Sequence, residues 1–198
     1  MSELTKKPDF FIVGAPKCGT TSFYHYLRQH PQIFMPDNKE PHYFGSDLKK
    51  RSDEFIKTEE EYLSLFKDAD PSQITGEAST FYLYSKVAQE EIKSFNPHAK
   101  IIIMLRNPID RAYSAYCFAS RTLQENQSFE CALESSSEIY EQNKTISPMI
   151  LYKEQGLYYK MVKAYFDNFK NCRESLNFIM SSTGISILSV LSMNSLTI

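Results

Sequence analysis

The 198-residue chain is 42% apolar and 14% aromatic, enough for a folded core and too much for a disordered segment. Lys plus Arg (22) nearly balance Asp plus Glu (24), a net charge of −2, which excludes the broad basic footprint used on nucleic acid or an anionic membrane. Four cysteines with no Cys-x-x-Cys pair and four histidines with no i, i+4 pair exclude a disulfide scaffold and a helical zinc site.

No metal site is therefore expected, and the thiols suit a reducing, cytoplasmic compartment. Residues 1–7 are basic, but a proline and only a short apolar run follow, so neither a signal peptide nor an integral membrane segment is expected. Anion binding, if present, has to be local.

The first predicted element is the β-prone run Phe10-Phe11-Ile12-Val13, which stops at Gly14. Beyond the small-residue stretch up to Ser22, the residues Phe23, Tyr24, Tyr26 and Leu27 recur with helical spacing, so the order is strand, loop, helix. Such a loop points backbone N–H groups outward with a helix dipole behind them, and here Lys17 stands beside them: an anion cradle. The helix is expected to end near His30-Pro31. A short extended piece, 32–36, leads into Asn38-Lys39-Glu40-Pro41-His42-Tyr43-Phe44-Gly45, a loop shaped by its prolines and glycine.

Residues 46–52 read as a solvated stretch, and 59–66 as a short packing helix with Tyr62, Leu63 and Phe66 on one side. Residues 73–79 read as a second strand that carries Glu77 into a turn, and a helix is expected from Ser85 to Asn96-Pro97. Between Lys100 and Arg106 the run Ile101-Ile102-Ile103-Met104-Leu105 is continuously apolar, as a buried parallel strand is. Asn107 is a favoured N-cap and Pro108 a favoured first helical residue, so a helix starts at once and leaves Arg106 at the strand's C-terminal edge. Ser114 falls about two turns beyond the cap, on the same side, so one ligand can reach both Arg106 and Ser114. A further helix is expected over 125–137 with Ser128 as its cap, then an aromatic helix through Tyr158, Met161, Val162, Tyr165, Phe166 and Phe169, whose stripe reads as core. After Glu174 no charged residue remains and serine recurs.

Two motifs carry chemistry. The triphosphate P-loop needs Gly-x-x-x-x-Gly-Lys-Ser/Thr; Gly14 and Gly19 have that spacing, but Thr20 occupies the lysine position and Lys17 lies earlier. That weighs against an ATP- or GTP-using kinase or NTPase. The cradle of backbone N–H groups, Gly19, the hydroxyls of Thr20, Thr21 and Ser22, and one mobile ammonium remains suited to an anhydride or diester; the bland alternative is a tight turn.

The stretch Gly14-Ala15-Pro16-Lys17-Cys18-Gly19-Thr20-Thr21-Ser22 resembles the 5′-phosphosulfate loop of sulfotransferases that use 3′-phosphoadenosine 5′-phosphosulfate (PAPS). Arg106 with Ser114, in Arg106-Asn107-Pro108-Ile109-Asp110-Arg111-Ala112-Tyr113-Ser114, resembles that family's 3′-phosphate motif. Glu40 to Phe44 resembles the loop of the glycan-modifying, heparan sulfate-type branch, where a glutamate is the base. The resemblance implies an α/β, P-loop-like three-layer fold with a central parallel sheet flanked by helices, and PAPS as donor. The donor would be held by Lys17, Gly19, Thr20, Thr21, Ser22, Arg106 and Ser114, with Lys17 at the leaving oxygen. Glu40 is the expected general base and His42 the second candidate. The acceptor would be a hydroxyl or amine of a glycan or small molecule.

This chain departs from that pattern in two places. Ala78 stands where many glycan sulfotransferases carry a lysine after the glutamate, which leaves Glu77 and Ser79 as substrate-side candidates or as a strand-end turn. Residues 1–170 read as the sulfotransferase-like domain, while 171–198 read as an atypical uncharged tail in which the family's next strand, helix and basic loop are not evident, so the fold is expected to be incomplete at its C-terminus. The rival to an active enzyme is a truncated nucleotide-binding protein without turnover.

Overall fold

A run as apolar as Phe10-Phe11-Ile12-Val13 is stable as a strand only when neighbours cover both of its faces, and β1 (Phe10–Gly14) is buried along its whole length. The computed structural model describes residues 6–51, 55–122, 124–169, 176–180 and 185–190. β1 pairs in parallel with β3 (Ile74–Ala78) on one side and with β4 (Lys100–Arg106) on the other. The short β2 (Ile33–Phe34) adds to the outer edge of β3, also in parallel. The register of β1 against β4 shifts between Ile12 and Gly14, where the chain leaves the sheet for the Lys17 loop. Gly76 is required under the ring of Phe10: a Cβ there would fall 2.1 Å from Cζ.

The helices lie near their expected positions. α1 (Thr20–Arg28) follows the loop, α2 (Glu59–Ser64) and α3 (Ala88–Phe95) flank β3, and α4 (Pro108–Arg121) starts directly after β4. Asn107 caps α4 by accepting from the N–H groups of Ile109 and Asp110, as its position next to Pro108 predicts. α5 spans Phe129–Gln142 with Ser128 as its cap, five residues beyond the expected end at Ser137, because Tyr140 continues the buried stripe. α6 (Tyr158–Asn168) buries Tyr165 and packs Phe169 into the main core. A second apolar cluster joins α4 and α5 through Ala112, Ala115, Ala132 and Tyr140. No helix among the described residues is long and apolar enough to cross a membrane.

The sheet departs from the expectation at the far edge of β4. The sequence suggested no strand in 171–198, yet β5 (Leu176–Met180) and β6 (Ile185–Val190) form there, giving the order β2-β3-β1-β4-β6-β5. β6 runs antiparallel to both β4 and β5. Two strands separated by so few residues can pair only as an antiparallel hairpin, and β4, apolar along most of its length, requires a neighbour on that edge. The parallel arrangement therefore holds for the four strands that build the site, and the last two are an antiparallel addition.

Candidate active site

The loop from Gly14 to Gly19 rises from the C-terminal end of β1. Its first residue has φ 149°, and a Cβ there would fall 2.5 Å from the carbonyl oxygen of Thr80, so only glycine fits. Ala15 N–H donates to Met104 O at 2.7 Å, which ties the loop to β4. Gly19 sits at the N-cap of α1 in the left-handed region, supplies no side-chain cap, and no acidic residue follows in the first turn. The helix N-terminus at Thr20, Thr21 and Ser22 thus keeps its positive end open toward the cavity.

That cavity, about 420 Å³, is lined by the loop residues Pro16, Lys17, Gly19, Thr20, Thr21 and Ser22, and by Arg106, Ser114, Phe118 and Met149. Lys39, Glu40 and Thr80 complete its lining. The structure therefore brings together every residue expected to hold the donor, and it places Glu40 on the same cavity. Arg106 reaches it from the last position of β4; its backbone carbonyl accepts from the Tyr158 hydroxyl at 3.0 Å, and its Nε is buried with no hydrogen-bond partner among the described residues. Ser114 and Phe118, four residues apart, project from one side of α4.

Lys17 has φ 67°, and its Nζ rests 4.5 Å from the centroid of the Phe118 ring. Burial lowers the pKa of its ammonium, and the positive charges of Arg121 and Arg106 lower it further. Cys18 faces inward beneath the loop; burial pushes its thiol up to about 11, which marks it as a packing residue and not a nucleophile.

The Glu40 loop is stitched to the segment after β3. Glu40 N–H donates to Ala78 O at 2.9 Å, His42 N–H to Ser79 Oγ at 3.1 Å, and Phe44 N–H to the Tyr82 hydroxyl at 3.2 Å. The carboxylate of Glu40 accepts from Thr80 N–H at 2.8 Å and from Thr80 Oγ1, and it pairs with the Lys39 ammonium. His42 does not line the cavity. Its Nε2 lies 3.3 Å from Glu40 Oε2, behind the carboxylate, and its ring packs against Phe55 and Phe81. Lys17, Glu40 and His42 are the non-glycine residues of positive φ in the described backbone, a costly conformation that tends to collect at functional sites.

Glu77 and Ser79 are not on the substrate side: both are fully buried under the sheet end, and neither lines the cavity. Tyr62 donates its hydroxyl to Glu77 Oε2 at 2.9 Å. Burial raises the Glu77 carboxyl to about 7, with the Ser79 and Tyr62 hydroxyls pulling the other way. Unfolded, the group titrates near its ordinary 4.5, so between these values the folded chain holds a proton that the unfolded chain has released. Stability from this group is complete below pH 4.5 and is lost as pH rises through 7. Relative to Glu77→Gln, the wild type is therefore expected to lose on the order of 1–3 kcal/mol between pH 5 and pH 8. Thermal melts of both proteins at the two pH values measure this, and a difference that does not change with pH contradicts it.

The residues missed in the sequence are Lys39, Thr80, Phe118, Met149 and Tyr158. Phe118 was visible as the i+4 neighbour of Ser114; Met149, on a short 3-10 turn between α5 and α6, had no signal.

The sequence matches the sulfotransferase domain family over residues 7–179. Among curated proteins, it is 34% identical to the membrane-associated sulfotransferase kil1 of Dictyostelium discoideum, over 61% of this chain and 25% of that protein. It is 30% identical to mouse carbohydrate sulfotransferase 15, over 68% of this chain and 31% of that one. The chain thus spans between a quarter and a third of the length of these relatives. The crystal structure of a sulfotransferase from Alicyclobacillus acidocaldarius superposes with a TM-score of 0.79 at 38% identity, over 85% of this chain and 71% of that one. On the match that runs from before β1 into β5, the chain belongs to the sulfotransferase domain family.

Proposed function

We propose that the chain transfers a sulfuryl group from PAPS to a hydroxyl or amine of a glycan or related acceptor. The observation that carries this reading is the single cavity on which the Lys17 loop, Arg106 with Ser114, and Glu40 converge. Two separated anion sites select a donor phosphorylated at both ends of its ribose. The open N-terminus of α1 suits the 5′ side, and the Nε of Arg106, without a hydrogen-bond partner among the described residues, suits the 3′ phosphate. The bound donor supplies an activated sulfuryl group on a phosphosulfate anhydride.

The chain's own residues do the rest by placement and charge, as in phosphoryl transfer. Lys17 leaves the Phe118 ring to meet the charge that develops on the departing phosphate oxygen. Thr20, Thr21, Ser22 and the N–H groups of α1 hold the 5′ phosphate. Glu40 takes the proton of the attacking hydroxyl or amine, and His42 steadies it from behind. The relatives named for carbohydrate sulfation support a glycan acceptor. The unpaired thiols of Cys18, Cys117 and Cys131 support a reducing, cytoplasmic setting.

Thermal shift separates this from a nucleotide-triphosphate site. Adenosine 3′,5′-bisphosphate (PAP), the desulfated product, is expected to raise the melting temperature at concentrations where ATP does not. An equal or larger shift with ATP overturns the donor assignment.

A further inference from the structure

Thr80 touches both halves of the site. It is 5% exposed and follows directly on the Glu77-Ala78-Ser79 turn. Its N–H donates to Glu40 Oε2 at 2.8 Å, and its hydroxyl lies 3.1 and 3.2 Å from the two carboxylate oxygens. Its carbonyl oxygen faces the other way, against the donor loop, where a Cβ on Gly14 would come within 2.5 Å. The segment around it is fixed to β1: Ser79 N–H donates to Ile12 O at 3.2 Å, and Leu83 N–H to Val13 O at 2.8 Å.

The other partners of the Glu40 carboxylate stand on the Glu40 loop itself. Lys39 adjoins Glu40 in sequence and holds it through a long flexible stem. The Nε2 of His42 stands at 3.3 Å and belongs to the same loop. His42 is tied to the segment after β3 only through its N–H on Ser79 Oγ, whereas Thr80 reaches the carboxylate from the segment itself, whose backbone is part of the sheet end from which the donor loop springs.

We propose that Thr80 is a positioning residue that sets the Glu40 carboxylate relative to the donor loop. Its N–H and hydroxyl hold the base, and its carbonyl packs closely against Gly14 of the donor loop. The proposal rests on the sulfuryl-transfer reading with Glu40 as base. Glu40 sits on a left-handed backbone, φ 64°, so its direction is not set by ordinary backbone preference and needs an external constraint. The hydroxyl is the separable part of that constraint: it carries one proton shared between two carboxylate oxygens, and its loss leaves the N–H contact alone.

Thr80→Val removes the hydroxyl and keeps the branched shape and the N–H. It is expected to lower kcat about tenfold, the worth of one hydrogen bond to a charged group. The affinity for PAP stays within about twofold, since the donor-facing carbonyl is unchanged. Thr80→Ser restores most of the rate. In a Glu40→Gln background Thr80→Val causes no further loss, because the two act as one unit. Wild-type kcat in Thr80→Val, a loss that serine does not rescue, or a loss that multiplies fully onto that of Glu40→Gln overturns the proposal. If Glu40→Gln itself keeps the wild-type rate, the reading of Glu40 as base fails first, and the positioning role falls with it.

Discussion

Arg106→Ala is expected to weaken PAP binding about 100-fold, and Lys17→Ala about tenfold, by calorimetric titration. Arg106 ends β4 with its carbonyl held by Tyr158 and a buried Nε that finds no partner among the described residues. A guanidinium placed in this way is held ready for an external anion, and removing it forfeits charge-assisted hydrogen bonds of about 1.5–3 kcal/mol. Lys17 contributes less to ground-state binding because its ammonium rests on Phe118 and because Arg106 and Arg121 already crowd the site with positive charge. Its larger effect belongs to the rate, about 10²–10³ in kcat, since the charge it meets develops only as the bond breaks. Unchanged PAP affinity in both variants contradicts the donor site.

Glu40→Gln is expected to lower kcat by about 10²–10⁴ while PAP affinity changes less than about threefold. The substitution keeps volume and the contacts an amide oxygen can accept, and it removes the group that takes the acceptor's proton. The separation of effects follows from the geometry: Glu40 reaches the cavity from a different loop than the phosphate cradle, and its carboxylate is held by Thr80 and Lys39. Single-turnover rates measured with saturating donor isolate the chemical step. A variant that keeps the wild-type rate removes Glu40 from the base position.

Much of this site is legible in the sequence, for physical reasons that differ by residue. The strand–loop–helix at Phe10 to Leu27 shows itself through the change from an apolar run to helical spacing. The meeting of Arg106 and Ser114 follows from one cap and one helical repeat: Asn107-Pro108 fixes where α4 starts, and the spacing then fixes which side chains share a face. The contribution of Thr80 is not legible, because a residue two positions beyond a buried strand looks like any turn residue until the Glu40 loop is laid over it. The left-handed backbone of Lys17, Glu40 and His42 is equally hidden, since none of these residue types signals it. Glu77 is hidden in the opposite way: at a strand end it reads as a substrate-side candidate or as part of a turn, yet β3 is covered on both faces and draws it inward. The hairpin of β5 and β6 was masked by its serine-rich composition, which dilutes the alternation a strand ordinarily shows. The family match reaches into β5, in a stretch whose composition alone suggested an unrelated tail.

Sulfuryl transfer itself is what Lys17, Arg106 and Glu40 are placed to perform. Incubation with PAPS carrying radiolabelled sulfate, against a panel of glycans and phenols with Lys17→Ala as control, measures it in one experiment. The geometry of Lys17, Arg106 and Glu40 predicts label in a glycan acceptor at a rate about 100-fold above the control. Donor binding without label in any glycan or phenol contradicts it and leaves a nucleotide-binding protein without turnover.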